Sequence, residues 1–384
     1  MATVAEILDG KKICICAGSG GVGKTTTSAA IAAGMAARGK RVAVLTIDPA
    51  KRLADSLGLP ELGNEERQVD PALFEQHDIE TDGGELWAMM LDAKATFDEV
   101  VAKHAPDAET RDRILSNRIY RELSNALAGS QEYMAMERLF ELHQEDRYDL
   151  LVLDTPPSRN ALDFLDAPRR LTQFIEGRSL QLFLRPTGLG MRVFGRGTSM
   201  MFSVLKRITG MDLLEDISEF FQAFSGMVGG FQERAKRVNE LLADRRTSFL
   251  VVCAPQGEPI SEAVYFHRKL VEAGFPFGGV IVNKVHAEPE LEAAAPEDVE
   301  PELAGLLGAE DLARRAAENL ADYRALAIRD RDNIDRLTRE MRARAVICIP
   351  YFDSDVHDLG GLMEVNRHLF GAAEEREAPA TGAA

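Results

Sequence analysis

Residues 11–39 read KKICICAGSGGVGKTTTSAAIAAGMAARG, and they confine the fold more than any other stretch. An apolar run at 12–17 meets a glycine-rich turn, and an alanine-rich run follows. Apolarity without alternation marks a strand buried on both faces, which requires helices on both sides of a parallel sheet. Alanine is the strongest helix former, so the unit reads strand–loop–helix. Further apolar runs at 41–47, 86–91, 149–153, 248–253, 278–283 and 345–349 are separated by amphipathic stretches. That order predicts an α/β fold with a doubly wound, mainly parallel sheet.

The turn itself, GSGGVGKT, has the spacing G-x-x-x-x-G-K-[ST] at Gly18, Gly23, Lys24 and Thr25. Glycines let the backbone curl until successive N–H groups point inward, and the positive end of the helix adds to their pull on a polyphosphate. Lys24 would reach the outer phosphates of ATP, and the Thr25 hydroxyl would ligate Mg2+. A glycine turn with a chance lysine is the plain alternative, and the strand before and helix after argue against it.

Other strand ends carry matching chemistry. Asp48 ends the second run, in TIDPAKRLADSLG, where a carboxylate can orient a hydrolytic water. It can equally cap a helix that begins with Pro49. Asp154 ends YDLLVLD and suits a place beside Mg2+, reached through water. Asn283 ends GGVIVN, and its amide can donate to and accept from an adenine edge. Pro350 to Phe352 follow the last strand and can cup the base.

Charge and cysteine usage narrow the setting. The net charge of −17 disfavours nucleic acid as a partner. The first residues, MATVAEILDGKK, have no signal-peptide core, and no apolar run is long enough to span a bilayer, so the expected location is cytoplasmic. Cys14, Cys16, Cys253 and Cys348 all fall in strand-type runs and read as small buried apolar residues in a reducing compartment.

Two segments interrupt the alternation of strands and helices. Residues 93–146 and 169–245 lack strand patterns and read as a helical subdomain inserted into the α/β core. The expected organisation is a single ATPase domain over 1–370. Its core comprises 10–92, 147–168, 246–284 and 345–370, with a long helix over 300–343 and a disordered tail at 371–384. Within 169–207, eight basic residues face one acid, Glu176, among Phe174, Phe183, Phe194, Phe202, Met191, Met200 and Met201. Met and Phe suit an adaptable apolar contact, and the positive charge suits lipid headgroups or the flanks of a membrane segment. The bland alternative packs the apolar residues under the subdomain and leaves the arginines as a solvated rim.

Taken together, Gly18 to Thr26, DPAKRLADSLG, DTPPSRNALDFL, IVNK and IPYF resemble the ArsA/Get3 family of deviant-Walker P-loop NTPases, in order and context, over roughly residues 10–370. The resemblance implies a Mg2+-dependent ATPase. Gly20, Gly21, Val22, Gly23, Lys24, Thr25 and Thr26 would form the phosphate loop, with Asp48 as the water-orienting residue. Asp154 would open the second switch, and Asn283, Pro350 and Phe352 would receive adenine. It also implies a dimer that sandwiches two ATPs and reshapes a surface built from the helical subdomains. In Get3 that surface takes hydrophobic membrane-protein clients, which points here to 169–245 with a peripheral membrane contact. The other readings are a regulatory switch that recruits a protein without a client, and the energising subunit of an arsenite-type anion pump.

Three departures from the family pattern stand out. Ser19 replaces the signature lysine that acts across the dimer. No Cys-x-x-Cys lies between Asn283 and Ile349, and the metalloid-binding cysteines of ArsA have no counterparts outside strands; a smaller departure is Asn160, where the second switch commonly has His. Arg159 or Arg52 can substitute for the missing cation. Alternatively, the dimer is not a homodimer but a heterodimer with a lysine-bearing paralogue, and that reading is favoured.

Overall fold

The computed structural model describes residues 2–48, 51–77, 79–118, 120–121, 130–155, 220, 228–287, 296–343 and 345–371. Its centre is an eight-stranded sheet in the order β3-β4-β2-β5-β1-β6-β7-β8. The strands are β1 (Ile13–Ala17), β2 (Arg41–Thr46), β3 (Arg67–Gln68), β4 (Glu85–Met90), β5 (Leu150–Asp154), β6 (Thr247–Cys253), β7 (Phe277–Val285) and β8 (Val346–Pro350). All pairs are parallel except β3 with β4. The two-residue β3 was absent from the sequence reading. Its residues, Arg67 and Gln68, are exposed and carry no apolar pattern to betray an edge strand.

Alternation along the strands divides the core into two layers. Ile13 and Ile15 join Leu45, Leu151 and Phe249 on one face, where the helices Ala93–His104, Ser130–Glu145, Val228–Ala243, Gly257–Ala273 and Glu310–Met341 supply the cover. Cys14 and Cys16 join Val42, Val44 and Leu250 on the other, against the helices Lys24–Ala36 and Leu359–Phe370. The helices between residues 93 and 145 therefore share a continuous apolar cluster with the sheet.

Two expectations needed adjustment. The stretch anticipated as one helix over 300–343 is a pair, Pro296–Leu307 and Glu310–Met341, divided at Gly308, whose φ of +65° suits glycine. Cys14, Cys16 and Cys253 are buried as expected, but Cys348 is exposed, because β8 is the edge strand. Most of 169–245, the residues Arg159 and Asn160, and the tail 372–384 lie outside the described residues. Among the described residues, no helix is long and apolar enough to cross a membrane.

Candidate functional site

The site begins in the register of the three central strands. Asp154 of β5 is aligned with Cys16 of β1 on one side and with Thr46 of β2 on the other. The glycine loop leaves β1 one residue further on, at this carboxyl edge, where the strand order on either side of β1 opens a crevice.

The loop is shaped by close approach. A Cβ on Gly18 would come within 2.0 Å of the Val252 carbonyl oxygen. Gly23 has φ of +91°, and a Cβ there would come within 2.2 Å of the Asn283 amide nitrogen. Gly23 is also the N-cap of the helix Lys24–Ala36, which has no side-chain cap. That leaves the helix's first N–H groups without a side-chain acceptor, which is the arrangement that receives an anion.

Lys24 is buried, and its ammonium donates to the Ser19 carbonyl at 2.8 Å. Burial lowers its pKa, while Asp154 and Asp48 oppose that shift. Thr25 Oγ1 donates to Asp154 Oδ2 at 2.7 Å, and Thr46 Oγ1 donates to the same oxygen at 2.9 Å. The Thr46 hydroxyl in turn accepts the Asp48 backbone N–H at 3.2 Å. One chain of hydrogen bonds thus joins the phosphate loop, β5 and the residue expected to orient water. Thr46 was not anticipated. Its only local mark is its place two residues before Asp48 at the end of an apolar strand, where threonine is an ordinary residue.

Asp154 is the electrostatic oddity of this group. Burial pushes its carboxyl up to about 6, and the hydroxyls of Thr25 and Thr46 pull it back only in part. Its Oδ1 is buried with no hydrogen-bond partner among the described residues. A buried carboxylate short of one partner, beside a threonine hydroxyl, fits a divalent cation. Thr25 and Asp154 are the residues that would hold Mg2+, and Lys24 with the loop would hold the phosphates.

The remaining predicted residues occupy the β7–β8 side. Asn283 donates its amide to the Val22 carbonyl at 2.9 Å, so in this structure it braces the loop. Pro350 ends β8, and Phe352 packs half-buried beside His368, with ring centroids 5.8 Å apart. Gly20 and Gly21 are exposed on the loop, Val22 is buried beneath it, and Thr26 lies half-buried in the first helical turn. The Ser19 hydroxyl is buried without a partner. Arg52 starts the helix Arg52–Ser56 and is exposed.

A parallel sheet, a glycine loop capping a helix, a buried lysine and a threonine–aspartate pair at the crevice define the class: a P-loop nucleoside-triphosphatase. A family model described as "Anion-transporting ATPase" matches residues 11–298, and the chain belongs to that ArsA-type ATPase family. It is 27% identical over 296 residues to "Putative arsenical pump-driving ATPase 1" of Aquifex aeolicus, covering 73% of this chain and 65% of that protein. It is 26% identical over 292 residues to "ATPase GET3" of Malassezia globosa, covering 75% and 77%. A similar match, 26% over 292 residues and covering 75% and 72%, joins it to "ATPase GET3A" of Arabidopsis thaliana. Against the first of these, the chain spans slightly less than two thirds of the relative's length.

Proposed function

We propose that the protein is a dimeric, Mg2+-dependent ATPase whose ATP-driven opening and closing binds or targets a hydrophobic, membrane-protein-like client. The observation that carries this reading is the connection at Asp154. Its carboxylate is hydrogen-bonded to the loop through Thr25 and to the Asp48 region through Thr46. The Met-, Phe- and Arg-rich sequence, 169–207, begins 15 residues further along the chain. A change in what Asp154 binds would act on the segment that leads into that sequence.

Bound Mg2+ supplies neutralisation of the charge that develops on the outer phosphate oxygens. The chain's own parts do the rest. Lys24 leaves the Ser19 carbonyl for phosphate, the loop N–H groups orient the terminal phosphate, and Asp48 aligns the attacking water. Adenine sits against Asn283 and the Pro350–Phe352 turn. Two relatives named for GET3 support the client reading, and one named for an arsenical pump supports the alternative. The cysteines weigh against that alternative here, since Cys14, Cys16 and Cys253 are buried in strands.

The test uses purified full-length protein and a synthetic apolar helix of about 20 residues, long enough to cross a bilayer. Capture of the peptide is expected to differ between Mg·ATP and Mg·ADP. Deleting residues 180–207 is expected to abolish capture while ATP binding persists. Equal capture in both nucleotide states, or undiminished capture after the deletion, rejects the client role. The subunit question has its own measurement. Ser19 cannot supply a positive charge to a partner, so we favour a heterodimer with a lysine-bearing paralogue. Full turnover by the protein alone, unchanged by Ser19→Lys, would exclude it.

A further inference from the structure

Strand β7 ends in a deformation. Its pairing with β8 slips between Val282 and Val285, so that Val282 is opposite Cys348 while Val285 is opposite Pro350. One extra residue on β7 makes a bulge, and Lys284 within it has φ of +63°. A residue with a Cβ in the left-handed region carries a cost of about 1 kcal/mol. Such a cost at a phosphate loop invites a functional account.

The consequence of the bulge is local and specific. In a regular strand Asn283 and Lys284 would project to opposite faces. Here both reach the same loop: Asn283 donates to the Val22 carbonyl at 2.9 Å, and the Lys284 ammonium donates to the Gly21 carbonyl at 3.3 Å. The Lys284 backbone N–H also donates to Asn283 Oδ1 at 3.0 Å, which fixes the amide. In a trans peptide the C=O and the following N–H point in opposite directions. Holding the carbonyls of Gly21 and Val22 toward β7 therefore turns the N–H groups of Val22 and Gly23 away from it.

We infer that Lys284 is a positioning residue for phosphate binding: together with Asn283 it aims the Val22 and Gly23 N–H groups at the nucleotide's phosphates. The loop thus has a lysine at each of two carbonyls, Lys24 at Ser19 and Lys284 at Gly21. Lys24 would exchange its carbonyl for phosphate, whereas Lys284 keeps its carbonyl and shapes the loop. This inference rests on the ATP-site reading above and adds that β7 prepares the phosphate loop independently of any contact with the base.

Calorimetric binding of ATP and of inorganic tripolyphosphate to the full chain separates the possibilities. Lys284→Met keeps the side-chain stem but removes the ammonium. It is expected to weaken both ligands by the same factor, about fivefold, the scale of one exposed hydrogen bond. Lys284→Gly should do the same even though it relieves the backbone, and Lys284→Arg should stay within about twofold of the parent. The melting temperature of the nucleotide-free protein should change little, so that affinity moves without the fold. Unchanged affinity for both ligands in Lys284→Met overturns the inference. So does a loss confined to ATP, which would make Lys284 a contact to the base. If the parent protein binds neither ligand, the ATP-site reading falls instead.

Discussion

Two buried carboxylates divide the molecule into a part that is finished and a part that waits. Glu137 lies among the helices of the first apolar layer and is completely buried. The Arg234 guanidinium closes on its Oε1 through both Nε and Nη2, and Tyr133 Oη donates to Oε2 at 3.3 Å. Arg234 Nη1 meets His104 Nε2 at 2.8 Å, where burial and the guanidinium lower the ring's pKa and keep it a neutral acceptor. Asp154 is just as secluded, yet its two hydrogen bonds fall on one oxygen and the other has none. Among the described residues no cation bonds it, and the nearby Lys24 ammonium is engaged by Ser19. The first arrangement is an internally satisfied tie between the helices Ala93–His104, Ser130–Glu145 and Val228–Ala243. The second is left short of a partner, and the difference lies in the partners present rather than in depth.

That contrast can be broken in graded ways. The largest effect belongs to the finished side. Glu137→Ala leaves a mostly buried guanidinium with only the longer contact to Glu141 Oε1, at 3.4 Å, as its carboxylate partner and should cost about 3 kcal/mol in urea unfolding. Pairing it with Arg234→Met should recover most of that loss; failure to recover would mean Glu137 is held by something other than Arg234. On the other side, Asp48→Asn should lower turnover about a hundredfold while ATP binding and thermal stability persist, the pattern of a group that acts on water. A parallel loss of ATP affinity would place Asp48 in binding instead.

Asp154→Asn should act in the opposite sense to Glu137→Ala. The folded pKa of Asp154, about 6, lies above the usual carboxylate value, so the native nucleotide-free protein binds this proton more tightly than the unfolded chain does. Stability from this group is then present at low pH and lost as pH rises from about 4 to about 6. Asp154→Asn should remove that slope and leave the nucleotide-free protein about 2 kcal/mol more stable at neutral pH. Adding Mg·ATP should reverse the ranking by stabilising only the parent. The smallest effect is expected from Thr46→Val, which deletes the bridge between Asp154 and the Asp48 backbone. A fall in turnover of about tenfold, with stability changed by about 1 kcal/mol, would confirm that the bridge serves the chemistry.

How legible this was in the sequence depended on how local each signal is. β1, the loop and the helix Lys24–Ala36 were readable because their residues are contiguous and their meanings agree. Asp48 and Asp154 were readable as polar ends of apolar strands. Thr46 was not, because a threonine inside RVAVLT is an ordinary strand former until β5 is laid beside it. Lys284 was not, because the residue pattern of GGVIVNKV runs on smoothly through the bulge. Cys348 read as buried since AVICI is apolar throughout, and only the strand order reveals that β8, among the described residues, has a neighbouring strand on one side alone.

By itself, then, the sequence determined the alternation of strands and helices, the parallel sheet and the glycine loop ahead of its helix, since each follows from the spacing of neighbouring residues. The tertiary structure alone decided which side chains meet at the loop. Thr25 and Asp154 are 129 residues apart, and Asn283 and Val22 are 261 apart. Whether a buried carboxylate is satisfied or left short of a partner depends on strand order and register, and no local pattern of residues specifies these.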